Sequence, residues 1–344
     1  MAAQDLSSEN PHPVAPAAGA TSASNFVPRR GLRGAHRQTV LSHYLPRQNL
    51  LPAPEARLFQ VEEGVQVRCD CHWQPDRAAA LTVVIVHGLE GSSDSQYVVG
   101  TADKAFAAGA NAVRMNVRNC GGTERLSPTL YHSGMSGDVG AVVRELIARD
   151  RLPRLALAGF SMGGNQVLKL AGEWGGEAPP EVRAVAAVSP AVDLAPSADA
   201  LHLPANRLYE LRFLVSLWRA MQRKARLYPE RYDLRGVRWP RSIRDFDDQI
   251  TSRFCGFTCA DDYYQRASGS PLLDRIALPT LVVHAQDDPF VRLLPTTRAA
   301  LLANPHVRLI ETEHGGHCGF VANPDGYDGR WAEREIVRFF QQFV

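Results

Sequence analysis

A serine between two glycines, Gly159-Phe160-Ser161-Met162-Gly163, stands where an apolar run ends and a helical pattern begins. A strand entering and a helix leaving such a turn would hold a serine hydroxyl above a sheet, where it can attack a carbonyl carbon. The flanking glycines answer the crowding of that turn, which leaves no room for Cβ atoms. The attacked carbonyl becomes an oxyanion, and two backbone N–H groups must be aimed at it. Met162, directly after the serine, is placed to supply one. Leu89, in the Gly-rich stretch His87-Gly88-Leu89-Glu90-Gly91-Ser92-Ser93 after an earlier apolar run, is the best candidate for the other.

A serine nucleophile also needs a base, and the base needs an acid to orient it. His284-Ala285-Gln286-Asp287-Asp288-Pro289-Phe290 closes one apolar run, and His314-Gly315-Gly316-His317-Cys318-Gly319-Phe320 follows the last one. The order serine, aspartate, histidine differs from the orders of chymotrypsin and subtilisin. Residue types alone leave the acid at Asp287 or Asp288, and the base at His314 or His317. Ser161 and Asp288 are 127 residues apart, while Asp288 and His317 are 29 apart. The first interval leaves room for an insertion, and the second for one helix and one strand.

The elements that must position these groups are legible as alternating patterns. Leu81 to Val86, Ala112 to Val117, Leu155 to Ala158, Ala184 to Val188, Leu281 to His284 and Val307 to Ile310 read as strands. The continuous apolar run Leu81 to Val86, stopped at His87-Gly88, is that of a buried parallel strand. Val139 to Ile147, Met162 to Trp174 and Trp331 to Phe343 have helical periodicity between them. The expected fold is therefore α/β, a mostly parallel central sheet with helices on both faces. Some 90 residues between the fourth strand and Leu281 break the alternation. They are expected to form a helical lid insertion at about 191–275, with a long helix from Asn206 to Leu227. Its apolar residues Leu208, Leu211, Leu214, Val215, Trp218 and Met221 suggest a lid packed over the site, and its many arginines leave a membrane-surface element as the alternative. Leu211, Leu214 and Trp218 are expected to line a substrate pocket, with His87 and Gly88 on its other side. Residues 26–60, punctuated by prolines, read as an arm over the domain, and the Ala/Pro/Ser-rich residues 1–25 as a disordered tail.

Composition excludes several classes. With 38 basic and 36 acidic side chains the net charge is +2, too small for a bulk electrostatic case for nucleic-acid binding. Six cysteines in 344 residues do not make a disulfide scaffold. Cys69-Asp70-Cys71-His72 lacks zinc-site spacing and reads as buried hydrophobes in a reducing cytoplasm. No window of about 18 apolar residues implies a transmembrane segment. No arginine or lysine precedes Arg29, so a secretory signal is not expected.

Taken together, HGLEGSS at His87 to Ser93, NCGGT at Asn119 to Thr123, Tyr131-His132-Ser133-Gly134, GFSMGG at Gly159 to Gly164, Asp245-Phe246-Asp247-Asp248, Asp287-Asp288-Pro289-Phe290 and His314-Gly315-Gly316-His317 resemble the YheT-type α/β-hydrolases. His36-Arg37-Gln38-Thr39 is similar to the N-terminal arm of that family. The resemblance spans roughly residues 26–344. It implies the α/β-hydrolase fold and a Ser-Asp-His triad, and it selects Ser161, Asp288 and His317. It also implies a small-molecule or lipid ester substrate of short to medium acyl chain, including acylglycerols and phospholipids, with no metal or organic cofactor. Arg118-Asn119-Cys120 departs from it, since relatives often carry glycine at the middle position. The same triad could serve acyl transfer, and a hydrolase-fold binding protein without catalysis is the third reading. Every catalytic position is filled, which disfavours the last.

Overall fold

In the computed structural model, which describes residues 25–344, the apolar runs pair into one eight-stranded sheet. The expected disordered tail lies outside the described residues, apart from Asn25. The strands are β1 (Glu55–Glu62), β2 (Val65–His72), β3 (Thr82–Val86), β4 (Asn111–Met115), β5 (Leu155–Phe160), β6 (Val182–Val188), β7 (Thr280–Ala285) and β8 (Val307–Thr312). Their spatial order is β1-β2-β4-β3-β5-β6-β7-β8. β1 and β2 pair antiparallel with their neighbours, and β3 to β8 run parallel.

The six expected strands all form, each within two residues of its expected limits at the start. β1 was not anticipated. The proline-rich arm ends before Glu55, because Glu55–Glu62 pairs with β2 across a turn at Glu63-Gly64, with Gly64 at φ 71°. Cys69 and Cys71 do share a face of β2, and both sit in the core with free thiols.

Helices cover the two faces. Alternate residues of β3 show the division: Val84 and Val86 join one core, Val83 and Ile85 the other. The first core takes its helical side from α3 (Ser136–Ala148), α4 (Met162–Trp174) and α10 (Pro295–Ala303). The second takes it from α2 (Gln96–Ala107) and α11 (Trp331–Phe340). α1 (Ala35–Tyr44) belongs to the N-terminal arm.

Between β6 and β7 the chain builds a helical cap. It comprises α5 (Leu194–Leu201), α6 (Arg207–Leu227), α7 (Ile243–Phe246), α8 (Ser252–Cys255) and α9 (Ala260–Ala267). A π-helical turn, Asp247–Thr251, joins α7 to α8. The cap has its own apolar core, with Leu214, Leu217, Met221, Phe246 and Tyr264 among its members.

Candidate active site

β5 ends at Phe160, and Ser161 takes φ 54° and ψ −117° before α4 begins. An L-residue rarely holds that conformation unless its surroundings impose it. Here the glycines permit the imposition. A Cβ on Gly159 would lie 2.2 Å from the Gly163 carbonyl oxygen, and one on Gly163 would lie 2.4 Å from that of Val86. The turn therefore packs directly on neighbouring backbone and pushes the serine side chain outward.

His317 Nε2 lies 3.0 Å from Ser161 Oγ, and its Nδ1 lies 2.8 Å from Asp288 Oδ2. Asp288 is buried at the end of β7, and its Oδ1 accepts the amides of Phe290 (3.1 Å) and Val291 (2.9 Å). Burial alone would raise this carboxyl, but His317 and those donors hold it below the ordinary 3.8. Burial likewise disfavours a charged His317. The Cys318 sulfur, 3.9 Å from Nε2, and the Asp288 carboxylate outweigh it, so the imidazole lies above its ordinary 6.5. The Phe290 ring packs on the imidazole at 4.3 Å between centroids.

The neighbouring pair does something else. Asp287 Oδ1 accepts the Gly316 amide at 2.8 Å, and its Oδ2 meets His314 Nδ1 at 3.3 Å. The adjacent residues are thus divided by geometry: Asp288 and His317 reach Ser161, while Asp287 and His314 hold the loop.

The Gly88 backbone lies against the serine, since a Cβ there would sit 3.0 Å from Ser161 Cβ. The amide of Gly88 donates to Tyr97 Oη and that of Glu90 to Tyr131 Oη. Leu89 between them, and Met162 at the first position of α4, donate to no other group among the described residues. Met162 adjoins Ser161 in sequence, and Leu89 shares the walls of both hollows that Ser161 borders.

Several expected contacts are placed differently. His87 is wholly buried. Its Nδ1 bonds the Gly88 carbonyl oxygen at 2.7 Å, its Nε2 accepts the Val117 amide at 3.1 Å, and burial pushes its pKa down to about 4. It shapes the loop from behind and does not reach the cavity. On α6, Leu211 faces outward, Leu214 is buried within the cap, and Trp218 packs on Trp239 at 5.6 Å between ring centroids. The helix face that lines the cavity is instead Phe213, Leu217, Ala220 and Met221. Lys224, which lies among the arginines of α6 in sequence, is buried. Its Nζ donates to Asn119 Oδ1 (2.6 Å) and to the carbonyl oxygens of Glu124 and Ser127, and burial lowers its pKa to about 8. Asn119 adopts φ 66°, a left-handed backbone that favours glycine, and its side chain receives Lys224.

Ser161 stands between two hollows. One, of about 140 Å³, runs under the cap between Leu89, Leu194, Leu217, Phe246 and Val291. Four charged side chains also border it: Glu90, held by Tyr131 Oη and Ser216 Oγ, both at 2.6 Å, and Glu124, Lys224 and Asp247. Burial pushes Asp247 up to about 6 although Thr251 and Tyr264 hydroxyls both donate to it at 2.7 Å. The other hollow, about 310 Å³, is a more polar cleft between the arm and α6, bordered by Val40, His43, Tyr44, Gly88, Arg212 and His317.

Sequence reasoning assigned no role to the arm, yet it seats the histidine loop. Thr39 Oγ1 accepts the His317 amide at 2.9 Å. The buried Gln38 side chain bonds Val321 twice, accepting its amide at 2.7 Å and donating to its carbonyl at 3.0 Å. A Cβ on Gly319 would lie 2.5 Å from the Gln38 carbonyl oxygen. The only signal was the motif resemblance at residues 36–39, because no local pattern relates positions this far apart.

A family profile described as alpha/beta hydrolase fold matches residues 82–324, most of the chain. The chain belongs to the α/β-hydrolase fold family. Among relatives of this family, YheT of Escherichia coli (strain K12), named among the esterases, is 34% identical over 94% of this chain and 95% of its own. Phospholipase ABHD3 of Homo sapiens is 29% identical over 83% of this chain and 70% of its own. Monoacylglycerol lipase of Saccharomyces cerevisiae is 28% identical over 76% of this chain and 59% of its own. The α/β-hydrolase architecture is also that of the Pyrococcus furiosus esterase Pf2001, with a TM-score of 0.55 at 16% identity over 84% of this chain and 90% of that one.

Proposed function

We propose that this α/β-hydrolase is a serine hydrolase of carboxylic esters with short to medium acyl chains, such as acylglycerol or phospholipid esters. The unbroken line Asp288–His317–Ser161, at the junction of an apolar hollow and a more polar cleft, carries the reading. Relatives named phospholipase and monoacylglycerol lipase support an acyl ester as the substrate class.

In this reading Ser161 Oγ attacks the ester carbonyl carbon while His317 Nε2 takes its proton. The carbonyl oxygen becomes the oxyanion, which the amides of Leu89 and Met162 stabilise. Loss of one such donor typically costs about a hundredfold or more in rate. Asp288 keeps the imidazole in the tautomer with its proton on Nδ1 and stabilises the imidazolium. The tetrahedral intermediate expels the alcohol, which takes the proton from His317 and leaves by the cleft. Water enters there, gives a proton to His317 and attacks the acyl-enzyme; the acid departs as Ser161 regains its proton.

A p-nitrophenyl ester series on purified protein tests the assignment of the hollow to the acyl chain. Each methylene buried contributes about 0.8 kcal/mol, so kcat/KM should rise up to roughly fourfold per carbon until the hollow is full. Leu217→Trp should shorten the preferred chain, because residue 217 is in the wall. Trp218→Ala should leave the optimum in place, because its ring packs on Trp239 instead. A profile unchanged by Leu217→Trp would remove the acyl chain from this hollow.

The pH profile tests the base. His317 must be neutral to accept a proton, and its folded environment favours the charged form. With a chemistry-limited ester, kcat/KM should therefore rise with pH through a midpoint above 6.5, later than a free imidazole would give. A midpoint at or below that of free imidazole would sink the assigned coupling to Asp288.

A further inference from the structure

The outer edge of the cleft carries apolar side chains that nothing among the described residues covers. Leu208 is 83% exposed, Leu211 51% and Tyr44 70%, with Val40 and Leu41 beside Tyr44 on α1. These residues come from the two helices that bound the cleft, since Val40, Tyr44 and Arg212 border the same hollow as Ser161. His36 of α1 bonds Tyr209 Oη at 3.0 Å and its ring stacks on Tyr209, which ties the two helices together at the rim. The apolar edge is therefore continuous with the approach to the serine.

The same edge is positively charged. The exposed residues of α6 include Arg207, Arg212, Arg219, Arg223 and Arg226, while its single acid, Glu210, is buried and bonded to Arg207 and the Ile243 amide. Arg223 pairs with Glu124, but Arg212, Arg219 and Arg226 have no carboxylate partner among the described residues. α1 contains no acidic residue and adds Arg37. On a chain whose net charge is only +2, this concentrates positive charge on one face. Leu208, Leu211 and Val215 on the outward side of α6 run between these arginines. A helix with exposed leucines flanked by arginines fits the headgroup boundary of a bilayer. Among the described residues no helix is long and apolar enough to cross one.

We propose that this rim, formed by the outward faces of α1 and α6, docks on an anionic lipid bilayer, so that the cleft mouth opens onto the surface from which a lipid ester is drawn. The proposal rests on the ester-hydrolase reading for its purpose and on the rim alone for its binding. A second copy of the chain fits less well, because it would set two arginine-rich faces against each other.

Vesicle co-sedimentation tests it, using ether-linked lipids that the enzyme cannot hydrolyse. The full chain should sediment with vesicles of phosphatidylcholine containing about a quarter phosphatidylglycerol, be released by salt, and stay in solution with phosphatidylcholine alone. Arg219→Gln with Arg226→Gln should weaken binding roughly twenty-five-fold, about fivefold per charge. Leu208→Ser should weaken it by about tenfold. Both variants should hydrolyse a soluble short-chain ester as the parent does. Absence of anionic-vesicle binding, or variants that bind like the parent, would overturn the docking face. So would a dimer in solution that Leu208→Ser dissociates. Failure to hydrolyse the soluble ester would instead overturn the ester-hydrolase reading and leave the vesicle result standing on its own.

Discussion

Ser161→Ala is expected to lower ester hydrolysis by about a thousandfold or more while leaving the fold intact. Triad members act as a unit, so removal of the nucleophile forfeits nearly all that the three supply together. Ser161 is half-buried and, among the described residues, its side chain bonds only His317, so alanine fits without a cavity or a stranded donor in the core. The strained turn remains, since Gly159 and Gly163 still permit the backbone packing that imposes it. Circular dichroism and a melting curve should match the parent, and labelling by a fluorophosphonate probe should disappear. A variant that retains more than a few per cent of the parent rate would place the nucleophile elsewhere.

Asp288→Asn and His317→Ala are each expected to remove most activity, again by about a thousandfold. Asp287→Asn and His314→Ala should cost about tenfold or less, because they act through the loop and not on the reacting atoms. The geometry makes the contrast sharp between neighbours. Asp288 Oδ2 meets His317 Nδ1, whereas Asp287 receives the Gly316 amide and faces His314. Asparagine at 287 can still accept from Gly316 through its carbonyl oxygen. Asparagine at 288 can present an NH2 to Nδ1, favouring the tautomer that leaves Nε2 protonated and unable to act as base. Steady-state kinetics on one soluble ester, run for all four variants, decides it. A greater loss at Asp287 than at Asp288 would move the acid by one position.

The inner parallel strands were legible because they are buried on both faces, so that the chain reads as an apolar run such as Leu81–Val86. The serine turn was legible because its chemistry and its steric demands fall within five consecutive residues. β1 was missed because one of its faces is wet. Glu55–Glu62 alternates, and its prolines lie just upstream; the Glu63-Gly64 turn was the overlooked sign of a hairpin. The choice of which α6 stripe faces the cavity was not legible. Leu208, Leu211 and Val215 form one apolar row, and Leu214, Leu217 and Met221 another, and spacing treats them alike. Only the destination of Lys224, set by acceptors at 119–127, distinguishes the two rows. The acid and the base needed either the resemblance or the coordinates, since two aspartates in sequence differ by a rotation that composition does not record.

The bond from Thr39 to the His317 amide joins residues 278 positions apart. Such a contact closes nearly the largest loop the chain can make, and its ordering entropy is met only when both ends are in place. During synthesis the serine turn can form long before the histidine loop exists, and that loop has no seat until the first helix has docked. On the proposed reading, competence is therefore a late event in maturation: a nascent chain would carry its nucleophile without a seated base until the segments around residues 39 and 317 meet.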